Sequence, residues 1–237
     1  RYVAKNYLEL PKPFKRYQLG RVWRNEKPGP GRFREFLQFD ADYVGTRNLQ
    51  ADAELCVLLA ETLNKCGLDK NEFVIRVSNR KCFFALLDWL KISNEKQRIA
   101  TTRAVDKYDR IGIEGVASLL GKGRKDKSGD FTKGVDLNKK QIEMITAYIE
   151  ENSIYDTERE NMKGEPRLAP LGGWDDLGPL WNEGINELGK IFAFTESSEF
   201  KDQIIYSPTL VRGIEYYTGT IFEANLLFKV KNQKGKE

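Results

Sequence analysis

The stretch from residue 15 to residue 45 constrains the fold most. It alternates polar and apolar positions, is broken once by "KPGPG" (27–31), and then alternates again. Two prolines and two glycines within five residues leave a connecting loop as the reading, so the pattern predicts a β-hairpin. Beyond the loop, Phe33, Leu37, Phe39, Ala41 and Tyr43 occupy odd positions, with Glu35 as the one misfit. Arg34, Phe36, Gln38, Asp40 and Asp42 occupy even positions. Successive side chains of a strand point to opposite faces. The odd face is therefore expected against the core, and the even face is expected to present a polar row with one aromatic ring. Trp23 is expected to anchor the first strand.

The remaining elements follow from period and punctuation. "QADAELCVLLAETLNKC" (50–66) reads as a helix stopped by Gly67, "EFVIRVS" (72–78) as a strand, and "KCFFALLDWLKI" (81–92) as an apolar helix. A charged helical block follows, with helices expected over 94–110, 112–121, 138–151 and 176–196. Two loops interrupt it: the basic "GKGRKDKSGDFTKG" (121–134) and the turn-rich "MKGEPRLAPLGGWDD" (162–176). Strand character returns with "QIIYSP" near 203 and with "VRGIEYYTGTIFEANLLF" (211–228). Strands flanking a helical block predict an α+β fold, with a helical insertion in an antiparallel sheet domain.

Composition excludes several chemistries. The chain has 237 residues, is 40% hydrophobic and 31% charged, and carries a net charge of +4. That balance supports a packed core and is compatible with an anionic partner without arguing for one. There is no histidine. Ser-His and Cys-His catalysis and histidine-based metal sites are thereby removed, leaving Arg, Lys, Asp, Glu, Tyr and the backbone. Cys56, Cys66 and Cys82 form no CxxC pair and read as reduced, buried thiols of a cytosolic protein. No apolar stretch approaches the length of a membrane span.

Three constellations carry candidate chemistry. Arg24, Glu26, Arg32, Arg34, Gln38 and Asp42 surround the hairpin. Arginines there suit phosphate through charge-assisted hydrogen bonds, and Phe36 on the same face suits a stacked base. A solvated sheet face with a charged turn would read the same way. The second is "LVRGIEYYTGTIFEA" (210–224), where Arg212 precedes two tyrosines and Gly219 suggests a bulge or a close backbone approach. An aromatic-rich core strand is the plainer alternative. Strict alternation puts Arg212 and Tyr217 on opposite faces, so a shared site needs a bend near Gly213. The third is the 121–134 stretch, which lacks the phosphate-loop pattern. It reads as a flexible basic loop or a contact for an RNA backbone.

Together, "RYQLGRVWRNEKPGPGRFREFLQFDADYVG" resembles motif 2 of the class II histidyl-tRNA synthetases, and "VRGIEYYTGTIFEA" resembles their histidine-specific signature. "VIRVSNRK" and the helical block resemble the intervening part of bacterial members. The resemblance implies a class II antiparallel sheet flanked by helices, divided into a catalytic core with the motif 2 hairpin (1–92), a mainly helical insertion (93–200) and a return to the catalytic sheet (201–237). It implies that Arg24 holds the ATP α-phosphate and the substrate carboxylate. Glu26 lies near the adenine, Arg32 and Arg34 lie near the phosphates, and Phe36 stacks on the base. Gln38 lies near the α-amino group of histidine, Asp42 contacts the imidazole, and Tyr217, beside Tyr216, faces it. Arg212 matches the family's catalytic arginine. Asp42 stands where Glu is common, one methylene shorter, and Ile214 replaces the usual Leu.

The implied function is histidine–tRNA ligation with ATP and its accompanying Mg²⁺, acting on histidine and tRNA(His), in a cytoplasmic homodimer. No protein-bound metal is expected. Motif 1, motif 3 and the anticodon-binding domain find no match, so the chain reads as a segment of a longer enzyme, inactive alone. Two rivals stand beside this reading: a synthetase-like regulatory subunit of ATP phosphoribosyltransferase, and a plain RNA-binding module. The first tends to lose the motif 2 arginines that remain here. The second does not need Gln38 and Asp42 on one inward face.

Overall fold

The computed structural model describes residues 1–25, 27–29, 32–125, 129–157, 177–211 and 217–228. Glu26, Arg212, Tyr216 and the turn-rich 162–176 stretch of the sequence reading lie outside them. A short helix α1 (Tyr2–Asn6) leads into β1 (Phe14–Trp23), which pairs antiparallel with β2 (Glu35–Val44) as the hairpin expected. The helix α2 (Gln50–Lys65) follows and buries Ala53, Cys56 and Ala60, three residues spaced to share one face. Gly67, at φ +99°, ends it as expected: its N–H donates to Asn64 O, and the Leu68 N–H returns to Leu63 O.

The strand β3 (Phe73–Asn79) is buried along its whole length. It pairs antiparallel with β7 (Thr220–Leu226) and parallel with β6 (Ile204–Tyr206), in the order β6-β3-β7. The α+β class holds, and the parallel β3–β6 step adds to the antiparallel pairing expected. Asn79 closes β3 and caps α3 (Arg80–Trp89), its side-chain oxygen accepting from Lys81 N–H at 3.0 Å. Asn94 caps α4 (Glu95–Val105) in the same way, accepting from Gln97 N–H.

The helical block continues with α5 (Tyr108–Leu120), kinked at Gly112, then α6 (Lys139–Thr157) and α7 (Pro179–Thr195). One hydrophobic core joins these helices to the sheet, with Phe73 and Ile75 of β3 in the same cluster as Leu86, Leu120, Ile145, Tyr148 and Leu188. The α3 and α7 axes come close at Gly184, where a Cβ would meet the Cys82 sulfur.

The 121–134 stretch differs from its expected loop. It contains a small antiparallel hairpin of β4 (Gly123–Lys125) and β5 (Phe131–Lys133). The glycines explain it: a side chain on Gly123 would collide with Thr132 O, and one on Gly134 with Gly121 O. They are spacers for two backbones in contact. Cysteine burial also departs from expectation at one position. Cys56 and Cys82 are buried and free, whereas Cys66 is free and exposed at the end of α2. Burial pushes the first two thiols up to about 12, so both remain protonated at neutral pH.

Candidate active site

Register assembles the site. Across the hairpin ladder, Arg16 faces Asp42, Gln18 faces Asp40, Gly20 faces Gln38 and Val22 faces Phe36. Directly opposed residues share a face. Arg24 continues that row, its backbone N–H donating to Arg34 O at 2.8 Å. One face of the hairpin therefore carries Arg24, Arg34, Phe36, Gln38, Asp40 and Asp42. The even positions from 34 to 42 thus share one face as alternation expected, with Arg24 beside them; Glu26 lies outside the described residues and Arg32 sits in the loop region.

The burial of the two faces reverses the expectation. Leu37 and Phe39, meant for the core, are 64% and 49% exposed, while Phe36, Gln38 and Asp40 are half-buried. Among the described residues the odd face lies open: Tyr17, Leu19, Trp23 and Phe33 are exposed with it. Trp23 thus does not anchor the strand by burial. The misfit Glu35 is explained by a neighbour on its own face, Arg21, whose guanidinium lies 2.8 Å from the Glu35 carboxylate.

On the polar face the side chains engage one another. The Arg24 guanidinium donates to Gln38 Oε1 at 2.6 Å and lies over the Phe36 ring, 5.1 Å from its centroid. Gln38 Nε2 donates in turn to Asp40 Oδ1 at 2.6 Å. Asp42 lies against Arg16, with 2.9 Å between Oδ2 and Nε. Arg32 sits past the loop, its backbone bridged to Gly29. Tyr217 lies three residues ahead of β7, outside the strand, and is partly exposed.

The hairpin is tethered to α2 through Glu54. That carboxylate takes hydrogen bonds from Lys15 Nζ and from the Tyr43 hydroxyl, each at 2.6 Å. The Lys15 and Tyr43 hydrogen bonds hold Glu54 below the ordinary carboxylate value. Lys15 is raised by the same contact, and Tyr43 is raised by burial and then by Glu54.

Sequence reasoning gave no role to Arg16, Asp40 or Arg76. Arg16 becomes visible only through the ladder register, whereas Asp40 was placed on the polar face by alternation without a role. Arg76 carried a signal in the sequence, as a lone charge within an apolar strand. It is 7% exposed, donates through Nε to Ser207 Oγ at 2.8 Å and through Nη2 to Thr209 Oγ1 at 2.5 Å, and pairs with Asp109 at 3.1 Å. It fastens the turn after β6, the turn that leads toward Arg212.

Among the described residues no group of three or more Cys, Asp or Glu is arranged to hold a metal ion. What the face offers is guanidinium groups and a ring beside one another, a set suited to a nucleotide triphosphate.

The family model described as histidyl-tRNA synthetase matches residues 1–169. The chain belongs to the histidyl-tRNA synthetase family. It is 44% identical to a histidine–tRNA ligase of Methylocella silvestris over 239 residues, which is 100% of this chain and 46% of that protein. It is 45% identical to the histidine–tRNA ligase of Rhizobium meliloti over 241 residues, again all of this chain and 46% of the relative. The chain thus spans about half the length of the curated relatives it matches. A histidyl-tRNA synthetase crystal structure from Nostoc superposes with a TM-score of 0.68 at 25% identity, over 95% of this chain and 47% of that one. A Bacillus halodurans structure titled ATP phosphoribosyltransferase regulatory subunit/histidyl-tRNA synthetase superposes at 0.67 and 19% identity, over 95% of this chain and 51% of its own, which shows a shared fold.

Proposed function

We propose that this chain carries the ATP- and histidine-binding face of a histidine–tRNA ligase. The observation that carries the reading is the Arg24 guanidinium, held over the Phe36 ring and against Gln38 on the polar face of a family hairpin.

The chemistry fits the residues. Activation joins the carboxylate of histidine to the α-phosphorus of ATP while the bond to pyrophosphate breaks. The nucleophile is already ionised at neutral pH, so the step needs no general base. Its difficulty is charge on the phosphoryl oxygens. A fixed guanidinium aimed there lowers the barrier, and loss of one such donor typically costs about 3 kcal/mol. Arg24 takes that role, with Arg32 and Arg34 near the outer phosphates, Glu26 near the adenine and Phe36 under the base. Gln38 receives the α-ammonium. Asp42 and Tyr217, with Tyr216 alongside, address the imidazole, and Arg212 approaches the reacting carboxylate. Asp42 must share or surrender Arg16 to do so. Mg²⁺ arrives as part of the MgATP substrate. The adenylate then passes its histidyl group to a terminal hydroxyl of tRNA(His).

Residues 1–92, 93–200 and 201–237 serve in this reading as hairpin core, insertion and return to the sheet, within a cytoplasmic homodimer. No helix of the described residues is long and apolar enough to cross a membrane. The test uses the full-length protein: histidine-dependent pyrophosphate exchange and charging of tRNA(His). Absence of both, with stimulation of ATP phosphoribosyltransferase instead, would replace this reading with the regulatory one.

A further inference from the structure

Three side chains on the polar face form a directed chain whose direction is set by their chemistry. Arg24 can only donate a hydrogen bond, and an ionised Asp40 can only accept one. Gln38 lies between them, 2.6 Å from each. Its carbonyl oxygen must therefore face Arg24 and its amide nitrogen must face Asp40. The reverse orientation would set donor against donor and acceptor against acceptor.

Nothing else in the ladder opposite Gln38 performs this orientation. The residue across the strand is Gly20, which has no side chain. The other carboxylate of the row, Asp42, is engaged with Arg16. Asp40 shares the face with Gln38, two residues along the strand, so its carboxylate reaches the amide without leaving the sheet surface.

We infer that Asp40 is a positioning residue for amino-acid activation, acting through Gln38. It holds the Gln38 amide with Oε1 presented to the site. That oxygen braces Arg24 over Phe36, and becomes the acceptor for the α-ammonium of the amino acid when Arg24 turns to phosphate and carboxylate. The same orientation that holds Arg24 thus presents an acceptor to a cation. This inference rests on the activity proposed above.

The experiment compares full-length wild type, Asp40→Asn, Asp40→Ala, Gln38→Ala and the Gln38→Ala/Asp40→Ala double variant in pyrophosphate exchange. Asp40→Ala removes the acceptor of Gln38 Nε2, whereas Asn keeps a neutral acceptor in its Oδ1, so Asp40→Asn is the conservative rescue. In Asp40→Ala the expected result is a fall of roughly tenfold or more in kcat/KM for histidine, with KM for ATP changed less and thermal stability nearly unchanged, and Asp40→Asn is expected to recover most of the loss. The double variant is expected to be no worse than Gln38→Ala alone. Wild-type kcat/KM in Asp40→Ala, or losses that multiply in the double variant, would overturn the positioning role.

A ligand-free crystal structure of full-length Asp40→Ala reads the chain of contacts independently of activity. Arg24 displaced from Gln38 supports the inference, and an unchanged Arg24–Gln38 contact removes it. If wild type itself shows no histidine-dependent exchange, the proposed activity has failed, and the crystallographic comparison still decides whether Asp40 positions Arg24.

Discussion

The hairpin and the three-stranded sheet use similar polar residues in opposite ways. In β3, Arg76, Ser78 and Asn79 are 7%, 3% and 1% exposed. Arg76 is bound by Ser207, Thr209 and Asp109, and the Asn79 amide donates to Glu187 at 2.7 Å. In the hairpin, Arg24, Gln38, Asp40 and Asp42 lie at a surface and bind near neighbours of the same face. A buried polar group requires an internal partner, because leaving it unpaired costs about 1–3 kcal/mol or more for a charge. A group at an open face can exchange its partner for water or a ligand at small net cost. The difference separates polar residues that hold the fold from polar residues that can exchange their partners.

That contrast can be broken by five measurements. Arg76→Met should destabilise the protein by about 3 kcal/mol, because it removes the buried guanidinium that ties Ser207 and Thr209 to β3 and leaves those two hydroxyls only each other. Chemical denaturation measures it, and a loss below about 1 kcal/mol would place Arg76 in the same class as the hairpin arginines. Leu86→Ala, at a fully buried position, should cost about 3 kcal/mol. Leu37→Ala, on the open face, should cost less than about 0.5 kcal/mol in residues 1–237. Equal costs would show that the odd face is covered after all.

Arg24→Ala should leave the melting temperature nearly unchanged and slow histidine-dependent pyrophosphate exchange of the full-length enzyme by about a hundredfold, which corresponds to about 2.7 kcal/mol on the barrier. A variant that melts early and keeps its rate would reverse the assignment of Arg24.

The smallest effect concerns the tether. Glu54 is held below its ordinary value of 4.5, so its contribution to stability is present above that value and fades as pH falls through the lowered one. Protection of the hairpin amides against hydrogen exchange, taken relative to the intrinsic rate at each pH, should therefore fall on acidification. Glu54→Gln should remove that acid-dependent step, and an unaltered pH response would assign it elsewhere.

Much of the architecture was legible in the sequence because it is local. Gly67 stopped α2 where a positive φ was needed, and "KPGPG" separated two runs of period two. The small β4–β5 hairpin was not legible, since "GKGRKDKSGDFTKG" has a loop's composition and its glycines serve a close approach that only the paired backbones reveal.

The sequence by itself determined that Arg34, Phe36, Gln38, Asp40 and Asp42 share one face, because side-chain direction in a strand follows position alone. It also determined the residue types that exclude histidine chemistry. The tertiary structure alone decided which face of the hairpin lies open, since alternation distinguishes two faces without saying which is covered. It decided that Arg24 joins that row, that Asp42 meets Arg16 and that Arg24 meets Gln38, because those contacts depend on the register between two strands. And it decided that Arg76 binds residues 109, 207 and 209, partners so distant along the chain that no local period encodes them.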